Sequence, residues 1–409
     1  MNLQKPLTRS SVQLKCRKSR TFSLHVRATA ALERVDQDRE VFSDANGRVI
    51  RPMVADYGFR SGSGRLYMEH YGETPKGVLD LAKSNFQQEL LQMRQYVRFG
   101  VGNSSQTPNG AIPQVTFKMG TAINSVFKQM DEFLESVSVL PKLEQPEKKA
   151  EELTEEWEEI REKLTKLKLD NQAIVEVEKA RAARGEELYT PFWVKLPFLF
   201  LCLVLDVLYE GKPIQKFWVL ETVARIPYFA YISILHLYES IGFWRAGAEL
   251  RKIHFAEEWN EMHHLQIMES LGGDQSWFDR FVAEHSAIAY YWLLIFFYLV
   301  SPKLAYNFMQ RVELHARDTY AVFVENNKEL LETIPPPKVA LSYYLNQDLY
   351  LFDEFQQGSK VTPRRPSCNN LYEVFNNIRD DENEHVKTMD ACEKETIALD
   401  IAKEKSSRR

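Results

Sequence analysis

The sequence predicts an all-α protein whose C-terminal half is a helical bundle. Three observations carry this expectation. Strand-like alternation is absent past residue 211. Apolar residues recur there in segments of helical length and spacing, near 213–240, 245–271, 275–299 and 302–333. Two of the nine histidines, His264 and His385, each follow a glutamate by three residues, the spacing that puts both side chains on one helix face.

The boundaries follow from local chemistry. Ser301-Pro302 separates the third and fourth segments. "IPPP" (334–337) ends the fourth, because proline lacks the amide donor and clashes with the preceding turn. A short helix is expected near 338–346, a loop over "GSKVTPRRPSCNN" (358–370), and a last helix over 371–395. Upstream, "SGSGR" (61–65) and "GVGNSSQTPNGAIP" (100–113) read as loops, with a helix near 76–98. The charged run 146–187 reads as one amphipathic helix. Within it Leu153, Trp157, Ile160, Leu164 and Leu167 form a short apolar seam.

At 409 residues and 44% hydrophobic content the chain can bury a sizeable core. A net charge of −5 argues against a nucleic-acid partner, which would call for a basic face. Four scattered cysteines form neither a disulfide framework nor a CxxC zinc site. Residues 1–32 hold seven Lys or Arg and no acid, with frequent Ser and Thr, the composition of an organelle transit peptide. The expected organisation is therefore a transit peptide (1–32), an extension with loops and the charged helix (33–190), a bundle domain (191–395) and a charged tail (396–409).

Two runs, "PFWVKLPFLFLCLVLDVLYEG" (191–211) and "AIAYYWLLIFFYLV" (287–300), are strongly apolar. Neither holds the roughly 20 consecutive apolar residues of a membrane-spanning helix. Runs of this length suit helices buried in a core or lying in one leaflet.

The chemistry lies in Glu261/His264 and Glu382/His385. Four-helix di-iron proteins carry a Glu-x-x-His pair on each of two helices and one glutamate on each of the other two. Glu221 in "WVLETVARIPYF" and Glu313 in "MQRVELHARDTYAVF" supply the missing pair, in the order Glu, ExxH, Glu, ExxH. Glu239, Glu249, Glu257, Glu258 and Glu325 are rival helical acids, and His263 stands one position off the ligand face.

At these residues the sequence resembles the alternative oxidases, in "LETVARIPYF", "WNEMHHLQIMESLGG" and "IRDDENEHVKTM". "NEMHHL" and "YYLNQDLYLFDEFQ" (343–356) are similar to the plastid branch, the plastid terminal oxidases or plastoquinol oxidases. The resemblance covers roughly 190–395. It implies a ferritin-like four-helix di-iron bundle with additional helices, monotopic on one membrane leaflet, oxidising plastoquinol and reducing O2 to water. It implies two iron ions held by Glu221, Glu261, His264, Glu313, Glu382 and His385. Tyr320 matches the family tyrosine beside the irons, and Asn260 and Asp381 match positions that orient the ligands. Quinol-pocket positions correspond to Lys216, Leu220, Val312, Ala316 and Thr319, with Lys216 standing where many relatives carry Arg. The implied location is the thylakoid membrane of the chloroplast, on its stromal face, with a homodimer as the assembly of relatives. The carboxylate pattern without the flanking motifs is shared by quinone-ring hydroxylases and acyl desaturases. A non-catalytic membrane-associated helical scaffold is the alternative of a different class.

Overall fold

The computed structural model describes residues 41–56, 74, 76–100, 111–144, 154–244, 247–345 and 366–394. The expected transit peptide, the 61–65 loop, residues 346–356 of the plastid-type motif and the C-terminal tail lie outside the described residues, as do most of the 100–113 and 358–370 loops. Contacts divide the chain at Phe42, and the architecture below belongs to the unit Ser43–Arg409. Strand among the described residues is confined to Phe42–Ser43 and Val49–Ile50.

Twelve helices are described. In the extension they are α1 (Val78–Phe99), α2 (Ala111–Ser136), α3 (Glu155–Thr165) and α4 (Asn171–Ala183). In the bundle they are α5 (Phe192–Leu208), α6 (Pro213–Ala224), α7 (Ile226–Ser240), α8 (Gly247–Ser270), α9 (Trp277–Val300), α10 (Pro302–Leu331), α11 (Lys338–Leu345) and α12 (Leu371–Glu393). α10 and α12 pack along their lengths, α8 lies against α6 and α7, and α9 covers α6, α7 and α10.

Caps set the starts. Ser276 accepts from the Asp279 amide, Ser301 from Leu304 and Asn370 from Glu373, each satisfying a donor the first helical turn leaves open. Pro302 opens α10 at a position where its missing N–H costs nothing.

Four expectations need correction. The segment 213–240 is two helices, because Pro227 withholds the amide that would continue α6 into α7. The charged run is also two helices. Asp170 caps a new start by accepting from Gln172 and Ala173. Asn327 satisfies the linker backbone, accepting from the Lys168 amide at 2.9 Å and donating to the Lys168 carbonyl at 2.7 Å. The last three residues of the 100–113 loop are helical, with Pro113 tolerated in the first turn of α2. Finally, α9 is 24 residues long and, by length and composition alone, apolar enough to cross a membrane. Its first half nevertheless carries buried Asp279 and Arg280, and it packs lengthwise on three bundle helices.

α5 and α9 each bury one stripe and expose another. Val194, Phe198, Leu294 and Tyr298 join the core, while Phe192, Trp193, Leu196, Phe200 and Leu203 on α5 and Ile288, Trp292, Phe296 and Val300 on α9 face outward. The hairpin of α1 and α2 is tied by Arg94 and Arg98, which reach Asp131 at 2.6 Å each.

Gly273, just after α8, fixes how α6 meets that helix. A Cβ there would lie 2.5 Å from the Trp218 Cβ, well inside contact distance. Trp218 stands three residues before Glu221, so this close approach brings Glu221 toward Glu261. Gly273→Ala is expected to lower stability by about 1–3 kcal/mol through overpacking, measured by thermal unfolding of the full chain.

Candidate metal centre

Four helices of the bundle deliver acids to one buried point: α6 Glu221, α8 Glu261 with His264, α10 Glu313, and α12 Glu382 with His385. All six are at most 2% exposed. They form two overlapping sets, Glu221–Glu261–His264–Glu382 and Glu261–Glu313–Glu382–His385, with the ligand atoms of each set within 4.8 Å of one another. Glu261 and Glu382 belong to both. Each has one oxygen for either side, the arrangement of a carboxylate that bridges two cations.

The imidazoles face inward through the same atom. His264 Nδ1 lies 3.2 Å from Glu382 Oε1 and 3.6 Å from Glu261 Oε2. His385 Nδ1 lies 2.9 Å from Glu261 Oε1 and 3.7 Å from Glu382 Oε2. Neither Glu261 oxygen receives an aligned hydrogen bond, nor do Glu221 Oε2 and Glu313 Oε2. Buried oxygens without donors are costly, and cations are what would satisfy them. The donor set is all carboxylate and imidazole, without thiolate, which suits iron or manganese.

The outer oxygens of the two terminal glutamates are held by tyrosines. Tyr320, on α10, donates to Glu221 Oε1, and Tyr228, on α7, donates to Glu313 Oε1 at 2.6 Å. Tyr320 sits seven residues after Glu313, and Tyr228 seven after Glu221, so the pairing is crossed between the two arms. Tyr228 was not singled out from the sequence, although the same seven-residue spacing marks it.

Asp381 orients His264. Its Oδ2 accepts from His264 Nε2 at 3.1 Å, from Asn260 Nδ2 at 3.1 Å and from Tyr344 Oη at 2.8 Å. That bond leaves His264 Nδ1 for a cation. Asn260 also donates to Tyr343. The contributions of Tyr343 and Tyr344, from α11, carry no motif of their own in the sequence. His263 faces away from the centre and stacks on Tyr343 at 4.1 Å between ring centroids.

Three of the rival acids are engaged elsewhere, and the Glu249 side chain lies outside the described residues. Glu258 pairs with Arg225, Glu239 with Arg251 at 2.5 Å, and Glu257 with His254 at 3.1 Å. Glu325 is exposed. Of the quinol-pocket positions, Leu220, Val312 and Ala316 are half-buried and Thr319 is fully buried, its hydroxyl donating to the His315 carbonyl at 2.7 Å. The Lys216 ammonium is held by Asp206 at 2.7 Å and Asn171 at 2.9 Å.

Titration divides the acids by place. Burial and the charges of Glu261 and Glu382 push Glu221 well above the usual carboxylate range. Burial does the same to Glu313, reinforced by Glu261 and Glu382 and opposed by His385. Burial also pushes at Glu261 and Glu382, but the flanking His264 and His385 rings outweigh it and hold both low. Burial alone would lower His264, yet Glu261, Glu382 and Glu221 raise it to about 9. His385 is raised further by Glu261, Glu313 and Glu382, again against burial. Without metal, two imidazoliums thus balance the two shared carboxylates, and the terminal glutamates keep their protons.

A helical bundle that gathers two overlapping Glu/His sets around shared glutamates has the arrangement of a metal site. Comparison with known proteins agrees: residues 192–394 match the family model described as Alternative oxidase. The chain is 54% identical over 190 residues to "Ubiquinol oxidase 4, chloroplastic/chromoplastic" of Arabidopsis thaliana, covering 46% of this chain and 54% of the relative. It is 28% identical over 158 residues to "Alternative oxidase 3, mitochondrial" of Glycine max, covering 38% and 47%. For "Ubiquinol oxidase 2, mitochondrial" of Nicotiana tabacum the figures are 27% over 143 residues, covering 34% and 46%. The chain spans about half the length of the curated relatives it matches.

The protonation pattern makes stability pH-dependent. His264 titrates near 9 when folded against 6.5 when free, so its contribution is full below about 6.5 and is lost as pH rises through about 9. Glu221 and Glu313 act in the same direction, because unfolding lets them ionise. The metal-free chain should therefore lose stability as pH rises from about 4.5 toward 9, with His264 alone contributing on the order of 3 kcal/mol between about 6.5 and 9, as followed by its thermal midpoint. Bound metal, which takes the ionised carboxylates and neutral imidazoles, should flatten or reverse that slope. Glu261→Ala should empty both sets in metal analysis, whereas Glu239→Ala should leave the metal content unchanged.

Proposed function

We propose that this chain is a plastoquinol oxidase, reducing O2 to water at two non-haem irons that Glu221, Glu261, His264, Glu313, Glu382 and His385 would hold. The observation that carries this is the pair of overlapping ligand sets within a segment that matches the alternative oxidase family model. The printed names of the relatives, ubiquinol and alternative oxidases, support the reaction class. The identity is about twice as high to the chloroplastic relative as to the mitochondrial ones. That and the basic, acid-free residues 1–32 support a plastid location, and the proposed substrate assigns the chain to the stromal face of the thylakoid membrane.

The irons, when bound, supply one-electron steps and open positions at which oxygen is reduced. The protein's own residues do the rest. Glu221, Glu261, His264, Glu313, Glu382 and His385 would hold the metals. Asp381, braced by Asn260 and Tyr344, fixes the His264 tautomer. Burial, reinforced by the surrounding carboxylates, keeps Tyr320 far above the usual phenol value, so it stays protonated and can deliver a hydrogen atom. Phe217 stacks on Tyr320 at 4.3 Å and, with Phe323 and Phe375, excludes water from that side. The quinol ring is placed beside Leu220, Val312, Ala316 and Thr319, next to Glu221 and Tyr320. Lys216 serves there through its pairing with Asp206, holding the start of α6.

A prenylated quinol is reached only from a bilayer. The outward stripes of α5 and α9, rich in Phe and Trp, are the surfaces that would enter one leaflet without a crossing.

Iron-loaded full-length chain should consume oxygen with added quinol, at two irons per chain. Tyr320→Phe should keep its iron and lose on the order of 10²-fold in turnover, as expected for a group that delivers protons to reacting oxygen. Absence of quinol-dependent uptake from the iron-loaded protein, or a hydroxylated or desaturated product, would overturn the assignment. Trp292→Glu with Phe296→Glu should lower co-sedimentation with lipid vesicles at least about tenfold, since each ring loses roughly 1.5–3 kcal/mol of burial, while iron content stays constant.

A further inference from the structure

Beyond the six metal-binding residues lies a second buried cluster to which the reaction above assigns no role. His254 on α8 is fully buried, and Glu257, Tyr306 and Tyr298 are each at most 4% exposed. His254 Nδ1 lies 3.1 Å from Glu257 Oε2 and Nε2 lies 3.1 Å from Tyr306 Oη. Tyr298 Oη completes the row, 2.8 Å from Tyr306 Oη. With the Nδ1 proton donated to Glu257, the Nε2 lone pair is aimed at the Tyr306 hydroxyl.

We propose that Tyr306 is a redox-active tyrosine, with His254 as its proton acceptor and Glu257 as the group that holds His254 in place. The oxidant is a one-electron oxidising equivalent generated where oxygen is reduced, so this part rests on the oxidase reading. Tyr306 gives up one electron, and its hydroxyl proton passes from Oη to His254 Nε2. The O–H bond breaks and an N–H bond forms. The products are a neutral tyrosyl radical and an imidazolium beside the Glu257 carboxylate. One electron from quinol, with return of the same proton, restores the starting state.

A buried tyrosine needs only a hydrogen-bond acceptor, and its neighbours have no more than that. Tyr231 donates to the Ala305 carbonyl at 3.0 Å, and Tyr290 to the Met309 sulfur at 3.6 Å. Tyr306 instead has a base with a carboxylate behind it. An oxidised phenol is strongly acidic, and losing its proton in an apolar core requires an acceptor already in place. The aromatic rings also run back to the metal-binding residues. Tyr306 stacks on His254 at 5.6 Å, His254 lies 6.2 Å from Tyr228, and Tyr228 lies 5.7 Å from His385 and bonds Glu313. This route leaves the centre on the Glu313 side, opposite Tyr320, which bonds Glu221. It would park an oxidising equivalent while the quinol pocket is being refilled.

The test has two arms on the full-length chain carrying ring-deuterated tyrosine, read by electron paramagnetic resonance. In the first, reduced iron-loaded Tyr320→Phe protein is mixed with oxygen without quinol and frozen. A tyrosyl signal is expected that adding Tyr306→Phe removes and adding His254→Gln lowers at least tenfold. In the second, redox-inert zinc replaces iron, and photogenerated tris(bipyridine)ruthenium(III) is the external one-electron oxidant. A radical that depends on Tyr306 and His254 is expected again. No Tyr306-dependent signal in the zinc arm, or an undiminished signal in His254→Gln, overturns the proposal. A positive zinc arm with no oxygen uptake by the iron-loaded protein upholds the Tyr306–His254 pair and sinks the oxidase reading instead. Thermal unfolding of each variant shows that it is folded.

Discussion

Four carboxylates packed into one apolar bundle repel each other, and the rest of the structure answers that repulsion. An uncompensated buried ion costs several kcal/mol even after relaxation. Here two cationic imidazoles, two retained protons and two tyrosine hydroxyls neutralise the group without metal. A pair of dications would replace all of the protons and satisfy the oxygens that lack donors. The bundle thus holds, in its core, oxygens that its own donors leave unsatisfied. The surrounding packing of Phe217, Phe323, Phe375 and Met389 keeps water from reaching them.

The crossed tyrosines show how the two halves are locked together. Each terminal glutamate comes from one arm and its tyrosine from the other, so neither arm can shift without breaking a buried hydrogen bond. The break at Arg225 serves this geometry. Across it, α6 presents Glu221 and α7 turns Tyr228 toward Glu313. The Trp218–Gly273 contact closes the same side by letting α6 approach the end of α8.

Much of this is legible in the sequence because metal sites on helices leave periodic traces. The three-residue Glu–His spacing and the order of four helices pick out the six Glu and His side chains that the fold brings together, and Pro, Ser and Asn mark most boundaries. What stays hidden depends on tertiary pairing. Tyr228 reads as one more aromatic in an apolar helix until Glu313 is seen facing it. Tyr343 and Tyr344 lie in an eight-residue helix with no motif, and only the fold brings their hydroxyls to Asn260 and Asp381. The charged run looks continuous because Asp170 is one acid among many. Its role as a cap appears only with the Gln172 and Ala173 amides turned toward it.

The same run explains why the extension is not a solvated appendage. α4 lies on α10 through Arg181 with Asp318, and through Glu178 with His315 at 2.8 Å. Its first residue, Asn171, reaches Lys216 on α6. These contacts flank Ala316 and Thr319 on one helix and Leu220 on the other, positions proposed to receive the quinol ring. A solvated charged helix would spread its ion pairs along its own surface at i,i+4 spacing. α4 instead directs an arginine, a glutamate and an asparagine at three partners on two helices of the bundle. Lys216 fits that task better than arginine would. A compact ammonium can sit between Asp206 and Asn171, where a planar guanidinium would need more room and a flatter partner. The extension and the bundle therefore meet at the side chains that border the proposed substrate site.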